Sequence, residues 1–265
     1  TIQANRLGVE LNVADVRWRE IRDRIFGRID PKASKGRAYR EQSDNVTVFE
    51  GRARFVGIQE LDVGTAETIT ADQIVIAAGS RPIIPEISGL TSVDFHTSDT
   101  VMRLAELPQS MIIIGGGYIA AEFAHVFSAF GTAVTVLNRS DVLLRREDPD
   151  IAKRFTELLG RRVDVRVNTS VTLVETAADE RVRVHAEGPG GGSEYLDAEV
   201  LLVATGRTPN GDTLDLQRGG IEEQRITDTQ LHTPGSIAVG DVARQKMEKL
   251  QARMLKSHMG VGAVF

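Results

Sequence analysis

"ADQIVIAAGSRP" at residues 71–82 returns at residues 198–209 as "AEVLLVATGRTP". The two segments align without a gap. Each has alanine and an acid, an apolar run, a small-small-glycine turn and a proline at the same offset. A repeat on this scale predicts two copies of one supersecondary unit. The uninterrupted apolar runs suit strands buried on both faces of a parallel sheet. Working outward, "MIIIGGGYIAAEFAHVFSAFG" (111–131) precedes the second copy. Its pattern predicts a strand at 111–114, a helix at 118–130 and a strand at 133–137, followed by a helix at 149–160. That βαβ order favours parallel strands with right-handed crossovers.

The rest of the chain carries weaker signals. Val16, Ile21, Ile25, Phe26 and Ile29 recur at helical spacing within 15–43, with a break or kink expected at Pro31 and Gly36. "NVTVFEGRARFVG" (45–57) reads as a strand pair and "SDTVMRLAEL" (98–107) as a helix. Short strands follow 163, with a Gly-rich hairpin at 188–192. The fold class expected is therefore α/β, with two Rossmann-like dinucleotide-binding domains, each carrying a β-meander. The second copy has its glycine loop about ninety residues upstream. The equivalent loop of the first copy is expected before Thr1, which leaves the first domain incomplete.

Gly115-Gly116-Gly117-Tyr118-Ile119-Ala120 fits G-x-G-x-x-A. In such a loop the first glycine permits the tight turn, the second lets backbone approach a pyrophosphate, and the small third residue lets helix and sheet pack closely. The following helix aims its free amides and positive dipole end at the phosphates. Choice of nucleotide is read where the second strand ends, since a carboxylate there binds a ribose 2′-OH and arginine binds a 2′-phosphate. "VTVLNRSDVLLRRED" (134–148) offers Asn138, Arg139, Arg145 and Arg146 there, with no acid at the strand end. Arginine's planar fork matches phosphate oxygens, so NADPH is expected over NADH.

Composition narrows the remaining classes. The chain has 265 residues, 41% of them hydrophobic and 26% charged, as in a soluble globular protein. A net charge of -5 argues against a nucleic-acid partner, whose footprint is basic. No apolar run approaches the roughly 20 residues that span a bilayer, so no membrane role and a cytoplasmic setting are expected. There is no cysteine, and the five histidines lack metal-ligand spacing.

"GGGYIAAEFAHVFSAFG", "IVIAAGSRP", "LLVATGRTPN" and "SIAVGD" occur in the order found in the FAD-dependent pyridine nucleotide–disulfide oxidoreductases, which the chain resembles over about residues 1–243. The resemblance implies FAD and NADPH as cofactors, a small-molecule disulfide as substrate and a homodimer as the complete enzyme. It implies that Gly115, Gly117 and Ala120 form the NAD(P) loop, and that Arg139 and Arg145 hold the 2′-phosphate. Tyr118 matches a tyrosine covering the flavin face where nicotinamide enters, and Glu122 a glutamate near both rings. Gly79, Gly206 and Arg207, in the glycine turns of the repeat, are expected among the cofactor-binding residues, and Gly240 with Asp241 matches the "GD" that holds the ribityl chain of FAD. The implied layout is a partial FAD domain at 1–96, an NAD(P) domain at 97–217, a returning FAD segment at 218–243 and an atypical tail at 244–265. The family's CxxxxC pair, its first glycine loop and its C-terminal interface domain have no match in this sequence. Two alternatives stay open: a cysteine-free NAD(P)H oxidase or diaphorase, and a non-catalytic NADPH-binding module.

Overall fold

The computed structural model describes residues 15–221 and the strand residues 232–233, 236–238 and 262–264. The chain divides into two compact units, residues 1–33 with 82–206 and residues 34–81 with 207–265. A long helix, α1 (Trp18–Glu41), runs from the first unit into the second.

In the first unit the central sheet has β6 (Ser110–Ile114), β7 (Ala133–Leu137), β8 (Asp164–Arg166) and β12 (Val200–Val203), in the order β12-β6-β7-β8. All three pairings are parallel, with Ile114 opposite Leu137 on one side and Val203 on the other. The apolar run of β6 is explained by its two buried faces. Met111 and Ile113 pack with Ala120, Ala124 and Phe127 of α2 (Tyr118–Ala129). Ile112 and Ile114 pack on the opposite face with Val174, Val182 and Val184. Those valines belong to an antiparallel meander of β9 (Ser170–Thr176), β10 (Val182–Glu187) and β11 (Ser193–Ala198), closed by the Gly-rich hairpin expected at 188–192. Each such side chain removed from water contributes about 1.5–3 kcal/mol, so this double-sided core fixes the sheet. Helix α3 (Pro149–Leu159) lies between β7 and β8 in the chain. Its N-cap Asp148 accepts from the amides of Asp150 and Ile151, and proline takes the first helical position.

The second unit carries the other copy. The strands β4 (Gln73–Ile76) and β5 (Ser80–Pro82) occupy the same offsets of the repeat as β12 and β13 (Arg207–Pro209), and β5 pairs with β13. A second meander is formed by β1 (Arg54–Gly57), β2 (Glu60–Asp62) and β3 (Thr68–Thr70). Strand β4 lies in parallel beside β15 (Ser236–Ala238) and β16 (Gly262–Val264), and β14 (His232–Thr233) pairs antiparallel with β15. The core here is Phe55, Leu61, Val63, Ile74, Ile76, Leu214, Leu216 and Ile221. The α/β class with two meanders is thus as expected from the repeat.

Three local expectations need correction. Helix α1 continues through Pro31 and Gly36. Gly27, whose carbonyl loses its partner at Pro31, is exposed, so water can serve it. Arg103 forks onto Asp30 at 2.9 and 3.3 Å and lies over the Phe26 ring, while Arg40 donates to the carbonyl of Gly36, the second breaker, at 2.7 Å. Residues 98–107 form only a single 3-10 turn at Val101–Arg103. The carbonyl of Leu104 is taken by the indole N–H of Trp18 at 2.8 Å and by Arg22, which leaves no acceptor for a further helical turn. Within 45–57 only 54–57 is a strand, and it pairs with 60–62 rather than with the preceding residues. Val46, Val48 and Phe49 are exposed, with no core behind them to support alternation.

Candidate functional site

The first unit's strand order reverses at β6, since its sequence neighbours β7 and β8 lie to one side and β12 to the other. In open α/β sheets the crevice beyond the carboxyl ends of the strands at this switch point takes the ligand. Gly115 to Gly117 sit there. Gly115 has φ +130°, and a Cβ on it would stand 2.2 Å from the carbonyl oxygen of Ala204, at the end of β12. Only glycine lets the two strand ends close in this way.

Gly117 is different. Its φ of -83° suits any residue, and a Cβ there meets no described atom within 4 Å. It forms the N-cap of α2 without a side-chain cap, and it is exposed. The space beside its missing side chain is open, and the first-turn amides of α2 have no partner within the helix. That combination fits an anionic group at the helix N-terminus. Ala120 is buried at 1% exposure against β6, which lets α2 lie close on the sheet.

The second strand's end is tied to this loop. Asn138 directly follows β7 and is buried, its amide nitrogen donating to the carbonyls of Ser140 at 3.0 Å and Val142 at 2.8 Å. The Leu144 amide donates to the Gly116 carbonyl at 2.7 Å. Arg139 and Arg145, next to these anchors, are exposed, as is Arg146. The glycine loop and the arginine loop are therefore one backbone-linked structure carrying fixed positive charge. Tyr118 is 62% exposed at the first helical position, and Glu122 lies one turn later on the same helix face, also exposed.

The repeat's glycine turns carry different partners. Gly79 has φ +68° with open space at its Cβ position. The turn is gripped from within its own unit. Asn210 donates to the Ala78 carbonyl at 2.8 Å, and Arg207 donates to the carbonyl and hydroxyl of Ser80 at 2.6 and 2.9 Å. Arg81 forks onto Asp212 at 2.5 and 2.9 Å. Arg207, expected among cofactor-binding residues, thus spends its guanidinium on the turn of the other copy. Gly206 stands in the first unit, where its carbonyl accepts from the Ile83 amide at 2.9 Å. Gly240 and Asp241 lie outside the described residues. Among the described residues no cluster of histidine or carboxylate side chains has metal-binding geometry, and no helix is long and apolar enough to cross a membrane.

Comparison with known proteins identifies the family. The model of the pyridine nucleotide-disulphide oxidoreductase family matches residues 12–255. The chain belongs to that family. Mycothione reductase of Mycobacterium tuberculosis is 40% identical over 257 residues, covering 91% of this chain and 53% of the reductase. Mercuric reductase of Lysinibacillus sphaericus is 32% identical over 214 residues, 78% of this chain and 36% of that enzyme. The solved structure of the HOCl-induced flavoprotein disulfide reductase RclA from Escherichia coli superimposes with a TM-score of 0.74 at 29% identity. The match covers 84% of this chain and 52% of that one. The chain spans about half the length of mycothione reductase, and of RclA.

The sequence singles out Gly115, Gly117, Ala120 and the arginines as candidates, but not the joints between them. Leu144 sits at φ +53°, a conformation uncommon for a bulky side chain. Nothing in its residue type signals this. Asn138 was legible only as the absence of an acid.

Proposed function

We propose that this oxidoreductase-family chain is the pyridine-nucleotide-binding part of a flavoprotein disulfide reductase most like mycothione reductase, taking NADPH at its first unit. The observation that carries this reading is the glycine loop, open at Gly117 and joined to a loop bearing Arg139 and Arg145 in place of a strand-end carboxylate. Gly115 and Gly117 with the α2 amides hold the pyrophosphate, and Ala120 lets the helix approach. Arg139 and Arg145 hold the 2′-phosphate. Tyr118 covers the entry of the nicotinamide, with Glu122 one turn behind it. By motif the partial FAD domain is residues 1–96 with the returning segment 218–243, the NADPH domain residues 97–217 and the atypical tail residues 244–265, whereas the compact units divide at 33/34, 81/82 and 206/207; Gly79, Gly240 and Asp241 are the FAD contacts of the first domain.

FAD, when bound, relays electrons from reduced nicotinamide towards a disulfide. The share of these residues is binding and orientation, because the redox chemistry belongs to the cofactors. Thiol–disulfide exchange needs thiolates, and the 265 residues contain no cysteine. The complete enzyme is read as a cytoplasmic homodimer acting on a small-molecule disulfide.

Arg139→Ala tests the nucleotide choice. A hydrogen bond to a charged group contributes about 1.5–3 kcal/mol, so titration should show NADPH weakened by roughly tenfold to a hundredfold and NADH little changed. Equal losses for both nucleotides contradict the assignment.

A further inference from the structure

We infer that Asn138 is a positioning residue for 2′-phosphate selectivity: its buried amide, seated between Gly116 and the 140–142 backbone, sets the arginine-bearing loop in register with the phosphate loop. The inference rests on the NADPH reading above.

Asn138 faces inward at 7% exposure, so it offers a ligand almost no surface of its own. Both amide hydrogens are used within the protein, on Ser140 and Val142, which closes the chain into a tight turn directly after Arg139. The backbone around the side chain is held as well. The Asn138 amide donates to the Arg166 carbonyl at 2.9 Å, and its own carbonyl accepts from the Thr169 amide at 2.9 Å. The residue is thus anchored to the neighbouring strand while its side chain anchors the loop.

On the other side stands Gly116. A Cβ at Gly116 would fall 2.4 Å from Oδ1, 2.5 Å from Cγ and 2.8 Å from Nδ2 of Asn138. The middle glycine of the loop is therefore required by the asparagine, not by the turn, whose positive φ lies at Gly115. The Gly116 carbonyl meanwhile accepts the amide of Leu144, the residue before Arg145, and Leu144 holds the left-handed conformation needed to present that amide. Arg139 thus leaves the loop beside its asparagine anchor, and Arg145 leaves it beside its Gly116 anchor. Both anchors meet at one glycine.

This arrangement also bears on the alternative nucleotide. A strand-end carboxylate is the group that reads a ribose 2′-OH. Placed here in the asparagine's rotamer it would face the Ser140 and Val142 carbonyls with no hydrogen to donate, an unpaired buried charge against two acceptors. The turn is thus built around an amide, and conversion to NADH requires rebuilding the turn as well as removing arginines.

The test uses the full chain and two probes that differ by one group, adenosine 2′,5′-bisphosphate and 5′-AMP. The variant is Asn138→Leu, close in size, without donors and without a charge that would itself repel phosphate. Wild-type protein should favour the bisphosphate, and N138L should reduce that preference at least tenfold in calorimetric titration, losing far more affinity for the bisphosphate than for 5′-AMP. A merely structural role lowers both affinities together. A preference retained in N138L overturns the inference while leaving the NADPH reading intact. A wild-type chain that binds both probes equally overturns that reading, and the inference falls with it. If N138L fails to fold, Gly116→Ala disturbs the same joint from the other side, and a retained preference there is equally fatal.

Discussion

Two glycines two positions apart make opposite demands on the chain. Gly115 is held at φ +130° against the Ala204 carbonyl, so its role is internal. Gly115→Ala should destabilise the first unit by about 3 kcal/mol or more, from backbone strain and collision together. Gly117 has an ordinary φ and open space, so its role faces outward. Gly117→Ala should leave unfolding by urea within about 0.5 kcal/mol of wild type while weakening NADPH at least tenfold. A destabilised Gly117 variant, or one that binds NADPH normally, contradicts this division. The glycine pattern itself was legible because a tight turn and a close backbone approach each disfavour a side chain, and a helix contact tolerates only a small one. The left-handed Leu144 was not legible, because leucine there is imposed by the Gly116 carbonyl and by packing rather than by its own preference.

Elements show the same contrast between local and tertiary causes. Strands β6 and β12 were legible because burial on both faces demands unbroken apolar runs. The 3-10 turn at 101–103 and the continuous α1 were not, since distant partners decided them: Trp18 and Arg22 on Leu104, and Arg103 on Asp30. The cap of α3 is local and readable, and Asp148→Ala should cost about 0.5–2 kcal/mol in thermal or urea unfolding. In the meander, Arg183 on β10 forks onto Asp197 on β11 at 2.8 Å through both nitrogens and lies over the Tyr195 ring. The Arg183 hydrogen bonds hold the Asp197 carboxyl below the ordinary carboxylate range. A depressed pKa contributes stability that is fully present above the unfolded value, near 3.9 for aspartate, and is lost as pH falls through the folded one. The melting temperature should therefore drop as the medium becomes more acidic than about pH 4, and Asp197→Asn should remove part of that slope. A variant whose acid profile matches wild type would show that the pair carries no pH-linked stability.

For the whole molecule, the repeat was the most informative signal. Two segments with the same pattern place β4 and β12 at the same offsets, each beside a parallel neighbour, in two separate units. What the repeat could not convey is how the second copy uses its arginine. Arg207 grips the Ser80 turn, which ties the end of one repeat to the other. In the proposed division of labour these residues bind nucleotide and orient nicotinamide, and disulfide exchange requires cysteines that the sequence does not contain. The chain alone, supplied with NADPH, FAD and a small disulfide, should release no thiols in a colorimetric assay. The central claim is that the first unit selects a 2′-phosphorylated pyridine nucleotide. Isothermal titration of the purified chain with NADPH and NADH, in the same buffer and salt, tests it most directly. Binding of NADPH at least tenfold tighter than NADH is the expected result; equal affinities, or a preference for NADH, contradict it.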